Sequence, residues 1–214
     1  MRYTTISIIK ISPDLKPTKP PSLKNMADYN PSTFIELTDF WLSLTRQDYP
    51  SRGFGKWSLF TEEPHRLYRI LEGVLKSGAL GDAYSMKTRT EPREGAKAEK
   101  VYLHSAPYTD QEKQLRLVEE LRELDVAHKF QLVRPLIFTT DLHNTWKETL
   151  SRPGDGYHEL LHKNNWLYRY EGGVLVVNAA IQALHQALEN PPENADAEFL
   201  IIRSMLPEEV FARD

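Results

Sequence analysis

A strand-like run, Trp57-Ser58-Leu59-Phe60, passes without a linker into an amphipathic helix, and this junction constrains the fold more than any other part of the chain. Gly53 and Gly55 stand just before it. Thr61 is placed to cap the helix, Pro64 falls in the first turn, where a missing N–H costs nothing, and Gly78 can end it. Between them Leu67, Ile70, Leu71, Val74 and Leu75 recur at helical spacing as one apolar stripe. A one-sided helix fed directly by a strand buries that stripe against the sheet, so the chain is built in layers.

The pattern extends along the sequence. Thr33 and Glu36 have capping-box spacing, and Phe34, Leu37, Trp41 and Leu44 follow at helical intervals, which predicts a helix over 33–46. Residues 83–88 and 100–105 read as a hairpin around a polar loop, 89–99. Thr109 and Glu112 open a helix over about 110–124 with Leu115, Val118, Leu121 and Leu124 inward. Strands are expected at 130–133 and 136–140, bent at Arg134-Pro135. Two more, 166–170 and 174–177, flank the turn signal Gly172-Gly173. Asn178 caps a helix to about 189, and 199–203 reads as a last strand. Short strands joined partly by hairpins point to an α+β fold: a mainly antiparallel sheet of about seven or eight strands with helices on one face.

Length gives one domain, and 40% apolar residues supply its core. We expect an N-terminal strand or arm and a proline-rich linker over 1–31, with prolines at 13, 17, 20, 21 and 31. The domain then spans 32–206, with an irregular insertion at 141–164, and 207–214 form a tail. The absence of cysteine excludes disulfides, thiol catalysis and thiolate zinc sites. A net charge of −3 means that nucleic acid can be held only by a local patch. The apolar run at the start is short, broken by Lys10 and lacks a small-residue cleavage site, so no secretory signal and no membrane partner are expected. The expected location is intracellular, cytoplasmic or nuclear.

Several segments in this order resemble the basophilic leukaemia expressed protein family. They are Gly55-Lys56-Trp57, Gly78-Ala79-Leu80 with Ala83 to Lys87, Val101-Tyr102, Tyr108-Thr109-Asp110, Arg134-Pro135 with Thr139, and the pair Trp166 and Tyr168. The similarity spans roughly 53–170; members usually carry Lys where this chain has Arg134. The resemblance implies a fold similar to the cap-binding translation initiation factor 4E, with a ligand-binding concavity, and it implies no reaction.

Trp57, Trp146 and Trp166 are the candidate stacking residues, since an indole under a base contributes about 1–3 kcal/mol. Trp57 has two orientations open to it, under the helices or on the opposite face of the sheet. Lys87, Arg89, Arg93, Lys97 and Lys100 gather on or beside the hairpin loop, where Glu91, Glu94 and Glu99 offset part of their charge. Lys56 and Arg134 each adjoin a structural landmark. A nucleotide- or RNA-end-binding protein follows from these, with Lys56, Lys87, Arg89 and Arg134 on phosphate and tryptophan on the base.

The alternative is an enzyme. His158-Glu159-Leu160-Leu161-His162 places two imidazoles one helical turn apart, able to hold Zn²⁺ with Glu159 as general base. Against it, Lys163 and Asn164 follow, Gly154 and Gly156 leave little helix upstream, and no spacing selects among Glu171, Glu189 and His185 as third ligand. Ser105, His104 and Asp141 supply the residue types of a hydrolytic triad. No glycine-rich phosphate loop is present. A third reading is an interaction protein that recruits a protein partner through its N-terminal arm or helical face. On the binding readings no cofactor is needed; on the hydrolase reading zinc is.

Overall fold

The computed structural model describes residues 41–48, 52–91, 96–133, 135–146, 162–163, 165–195 and 197–211, and 33–37 by backbone alone. In chain order the elements are β1 (Thr33–Leu37), β2 (Trp41–Arg46), β3 (Gly55–Thr61), α1 (Pro64–Lys76), β4 (Ala83–Arg89), β5 (Glu99–Ser105), α2 (Gln111–His128), β6 (Leu136–Thr140), α3 (Asp141–Thr145), β7 (Tyr168–Glu171), β8 (Val174–Val177), α4 (Ala179–Glu189) and α5 (Ala197–Met205), with a final 3₁₀ turn at Glu208–Val210. The strands form one antiparallel sheet in the order β1-β2-β4-β5-β3-β6-β7-β8. The fold is α+β, with a curved, open sheet.

Strand periodicity decides which side chains meet the helices. Leu44, Met86, Leu103, Trp57, Phe138 and Tyr168 lie on one face and are fully or almost fully buried. Above them sit Leu67, Leu71 and Leu75 of α1, Leu117, Val118 and Leu121 of α2, and Ile181 and Leu188 of α4. Gly78, at φ 72°, ends α1 in the left-handed region, as a helix C-terminus requires. Asp110, rather than Thr109, caps α2 by accepting from the Lys113 N–H at 3.0 Å. Thr61 does not cap α1; its hydroxyl donates to the Phe130 carbonyl at 3.0 Å and accepts from the Glu63 N–H at 3.1 Å, shaping the turn into the helix.

Four expectations are corrected, the first being that 130–133, expected as a strand, form no regular element, with Gln131 in the left-handed region at φ 55°. Residues 33–37 and 41–46 are two paired strands, not a helix. The spacing of Phe34, Leu37, Trp41 and Leu44 suits a helix, yet a chain doubling back between Leu37 and Trp41 also buries Leu44 opposite Met86. Residues 199–203 belong to α5, in which Phe199 is buried and packs edge-on against Trp146, ring centroids 6.3 Å apart. A short apolar run has no periodicity that separates strand from helix. The segment expected to be irregular from 141 opens with α3, capped by Thr140, which accepts from the His143 N–H at 3.0 Å.

Past α5 the chain returns Val210 and Phe211 to the core, and the Arg203 guanidinium lies 4.3 Å from the centre of the Phe211 ring. The expected N-terminal arm and linker lie outside the described residues. Between Ala83 and Ser85 the β4–β5 register shifts by one residue, a β-bulge.

Candidate functional site

Side chains of alternate parity emerge on the sheet face opposite the described helices. The cross-strand register arranges them in three rows. Trp41 pairs with Arg89, and Lys100 with Phe60. The next row runs Ser43, Lys87, Tyr102, Ser58, Ile137 and Arg169. The third runs Thr45, Ser85, His104, Lys56 and Thr139. Four strands, β3, β4, β5 and β7, thus bring cations from distant parts of the sequence onto one face.

Tyr102 is its centre. The ammonium groups of Lys56, Lys87 and Lys100 stand 5.3, 5.8 and 5.8 Å from the Tyr102 ring centroid. Lys87 also lies 5.1 Å from the Trp41 ring and Arg89 5.9 Å from it, while Lys100 stands 4.9 Å from Phe60. These separations are within cation–π range. The Trp41 and Tyr102 rings are 6.0 Å apart and tilted by 53°. Arg89 Nε is buried and makes no hydrogen bond among the described residues.

Beneath this surface lies a polar floor. Ser58, Ser85 and His104 are only 7–8% exposed. Thr45 donates to the Ser85 oxygen at 3.3 Å, and Ser85 Oγ meets His104 Nδ1 at 3.5 Å. Burial first, and then the Lys87 and Lys56 ammonium groups, hold the His104 pKa down to about 3, against a smaller opposite effect from a backbone hydrogen bond at Ser85. The imidazole is therefore neutral at pH 7.

The candidates read from sequence divide accordingly. Lys56, Lys87 and Arg89 come together on the open face, half-buried, and Lys100 joins them. Trp57 is not on that face. It is fully buried beneath the helices, and its indole N–H donates to Gln114 Oε1 of α2 at 3.1 Å. Trp146 is also removed from the face, 1% exposed against α5. Trp166 is half-buried in the connection entering β7. The Thr139 hydroxyl donates to the Asn165 carbonyl at 3.0 Å, bringing that connection beside the row of Lys56. Arg134 and Arg93 lie outside the described residues, as do His158 and Glu159; His162 is exposed.

Among the described residues no three His, Asp or Glu side chains group as a metal cradle. Ser105 and His104 point to opposite faces of β5, and Ser105 is spent on Gln114 Oε1 at 2.8 Å, so the triad is not assembled. Sequence reasoning missed Trp41, Tyr102 and Phe60. Trp41 was hidden by its helical spacing, whereas Tyr102 and Phe60 sit at the same strand parity as Lys100 and Lys56.

A second polar group lies under α4, around a cavity of about 110 Å³ lined by Tyr108, Tyr168, His185 and Glu189. Tyr168 donates to the Tyr108 carbonyl at 2.6 Å, Tyr108 donates to Glu189, and His185 Nε2 meets Thr140 Oγ1 at 3.1 Å. These bonds tie α4 to β6 and β7, and burial keeps His185 neutral, its pKa held down to about 3 with His143 adding to the effect.

No protein-family model matches the chain, and no curated protein matches it. No helix among the described residues is long and apolar enough to cross a membrane.

Proposed function

We propose that the open face of the sheet binds a nucleotide or the end of a single-stranded RNA. The observation that carries this reading is the convergence of Lys56, Lys87 and Lys100 on the Tyr102 ring, with Arg89 and Lys87 over Trp41. Aromatic rings on a sheet surface stack bases whatever their sequence, and ammonium and guanidinium groups beside them neutralise phosphates. Trp41 and Tyr102 take the stacking role expected of Trp57 and Trp146. The cations Lys56, Lys87, Arg89 and Lys100 take the backbone. An open, curved antiparallel sheet with helices on one face supports a fold similar to that of initiation factor 4E, as the resemblance to the basophilic leukaemia expressed protein family implies.

Titration of intrinsic tryptophan fluorescence with nucleotides, cap analogues and short RNAs tests the reading. Saturable quenching that weakens with salt and is lost in Trp41→Phe is expected; a flat response from folded protein overturns it. Each phosphate contact removed, as in Lys87→Ala, lowers the slope of log affinity against log salt by about one.

A further inference from the structure

The third row has a feature that a surface for phosphodiesters does not need: a buried histidine paired across the strands with Lys56 and two residues along β5 from the partner of Lys87. We infer that Lys56, Lys87 and His104 form a subsite for a terminal phosphate monoester, so that the ligand is a phosphorylated end or a free nucleotide rather than an internal stretch of chain. This rests on the nucleotide- or RNA-end reading and specifies its chemistry.

Three observations carry it. Lys56 on β3 and Lys87 on β4 flank β5 and bring their ammonium groups to the same Tyr102 ring. His104, two residues along β5 on the same face, is the cross-strand partner of both Ser85 and Lys56. Its imidazole is 8% exposed, and Nδ1 is turned to Ser85, so among the described residues Nε2 is the ring nitrogen left for a ligand.

Two ammonium groups over one ring, and an imidazole that can accept a proton two residues along the same strand, put three donors on one stretch of this face. A monoester offers three terminal oxygens and a second negative charge; a diester offers two oxygens and a single charge.

The groups facing His104 are Lys56 from β3, Ser85 and Lys87 from β4, Tyr102 from β5 itself, and Thr45 beyond Ser85 on β2. Both charged neighbours are positive, and they keep the imidazole neutral in the free protein. A phosphate dianion reverses that field, so binding draws a proton onto Nε2.

The experiment is calorimetric titration of the full chain at about pH 7.5, where a monoester is already a dianion, its second pKa being about 6. The probes are one short RNA with a 5′-phosphate, with a 3′-phosphate and with neither, and inorganic phosphate, each in two buffers of different ionisation enthalpy. One phosphorylated RNA should bind about tenfold or more tightly than its unphosphorylated twin, with proton uptake. His104→Gln and Lys56→Met should each reduce that preference, and His104→Gln should abolish the uptake. Because His104 is buried, circular dichroism establishes its folding, and half-buried Lys56→Met gives the answer if His104→Gln does not fold.

Equal affinity for all three RNAs without proton uptake overturns the subsite and leaves the binding face standing. Inorganic phosphate binding with proton uptake, but no RNA binding, upholds the subsite and overturns the nucleic-acid reading. No binding of any probe overturns both.

Discussion

Trp57 and Trp41 lie on strands of the same sheet and face opposite ways. Trp57 is fully buried, packed 5.2 Å from the Phe138 ring, and its single donor is satisfied by Gln114. Trp41 is half-buried, and Lys87 and Arg89 lie over it. One indole is part of the hydrophobic layer; the other sits in an electrostatic one. Residue type does not separate these roles. Strand parity does, because the helices cover one face and leave the cations on the other.

Substitutions that treat the two indoles alike should give opposite outcomes. Trp57→Ala is expected to cost about 3–5 kcal/mol, since it opens a cavity and leaves the Gln114 carbonyl without one of its donors. Chemical denaturation reads that loss, and Trp41→Ala should change stability by only about 1 kcal/mol or less while removing ligand binding. If Trp41→Ala proves the more destabilising, the assignment of faces is wrong.

A smaller effect is expected at Gly55. A Cβ there would sit 2.2 Å from Phe138 Cζ, so Gly55→Ala forces the β3–β6 contact apart at about 1–3 kcal/mol, seen as a lower denaturation midpoint.

A further effect is expected in pH dependence, and its sign differs between two groups. His104, at about 3 in the folded protein and 6.5 as a free side chain, stays neutral while the unfolded chain protonates. Its contribution is complete above pH 6.5 and is lost as pH falls toward 3. Glu120 on α2 is raised from 4.5 to about 7 by burial first and by Asp82 and Glu123, with Arg116 opposing. Its protonated form is the favoured one, so its contribution is complete below pH 4.5 and lost as pH rises through 7. Glu120→Gln should therefore raise Tm at pH 8 more than at pH 4, and His104→Gln should flatten the fall of Tm below pH 6.

Much of the covered face was legible in the sequence. The stripe of α1, its Gly78 terminus, the Asn178 cap of α4 and the Gly172-Gly173 hairpin are local signals, and each operates within a few residues. The open face was legible only in its cations. Lys56, Lys87 and Arg89 stand out one at a time, but what makes them a site is register: Lys87 beside Tyr102, Tyr102 beside Ser58, His104 beside Lys56. Such pairings join residues far apart in the chain and leave no periodic trace. Trp41 was lost for a related reason, because spacings of three and four residues also arise when two short strands fold back on each other.

The bulge between Ala83 and Ser85 has a consequence for how this surface can change over generations. Ala83 faces the helices, and so do Met86 and Thr88, three and five residues on. An unbroken alternation from Ala83 would send Lys87 and Arg89 inward and turn Met86 and Thr88 out to solvent. The cationic surface is thus set by a count of residues as much as by their identity. Losing Tyr84, the extra residue, would remove the bulge and keep both faces of β4 as they are, whereas keeping every residue and pairing them without the bulge would exchange the faces in one step; replacing any one of its lysines or arginines would only thin the charge.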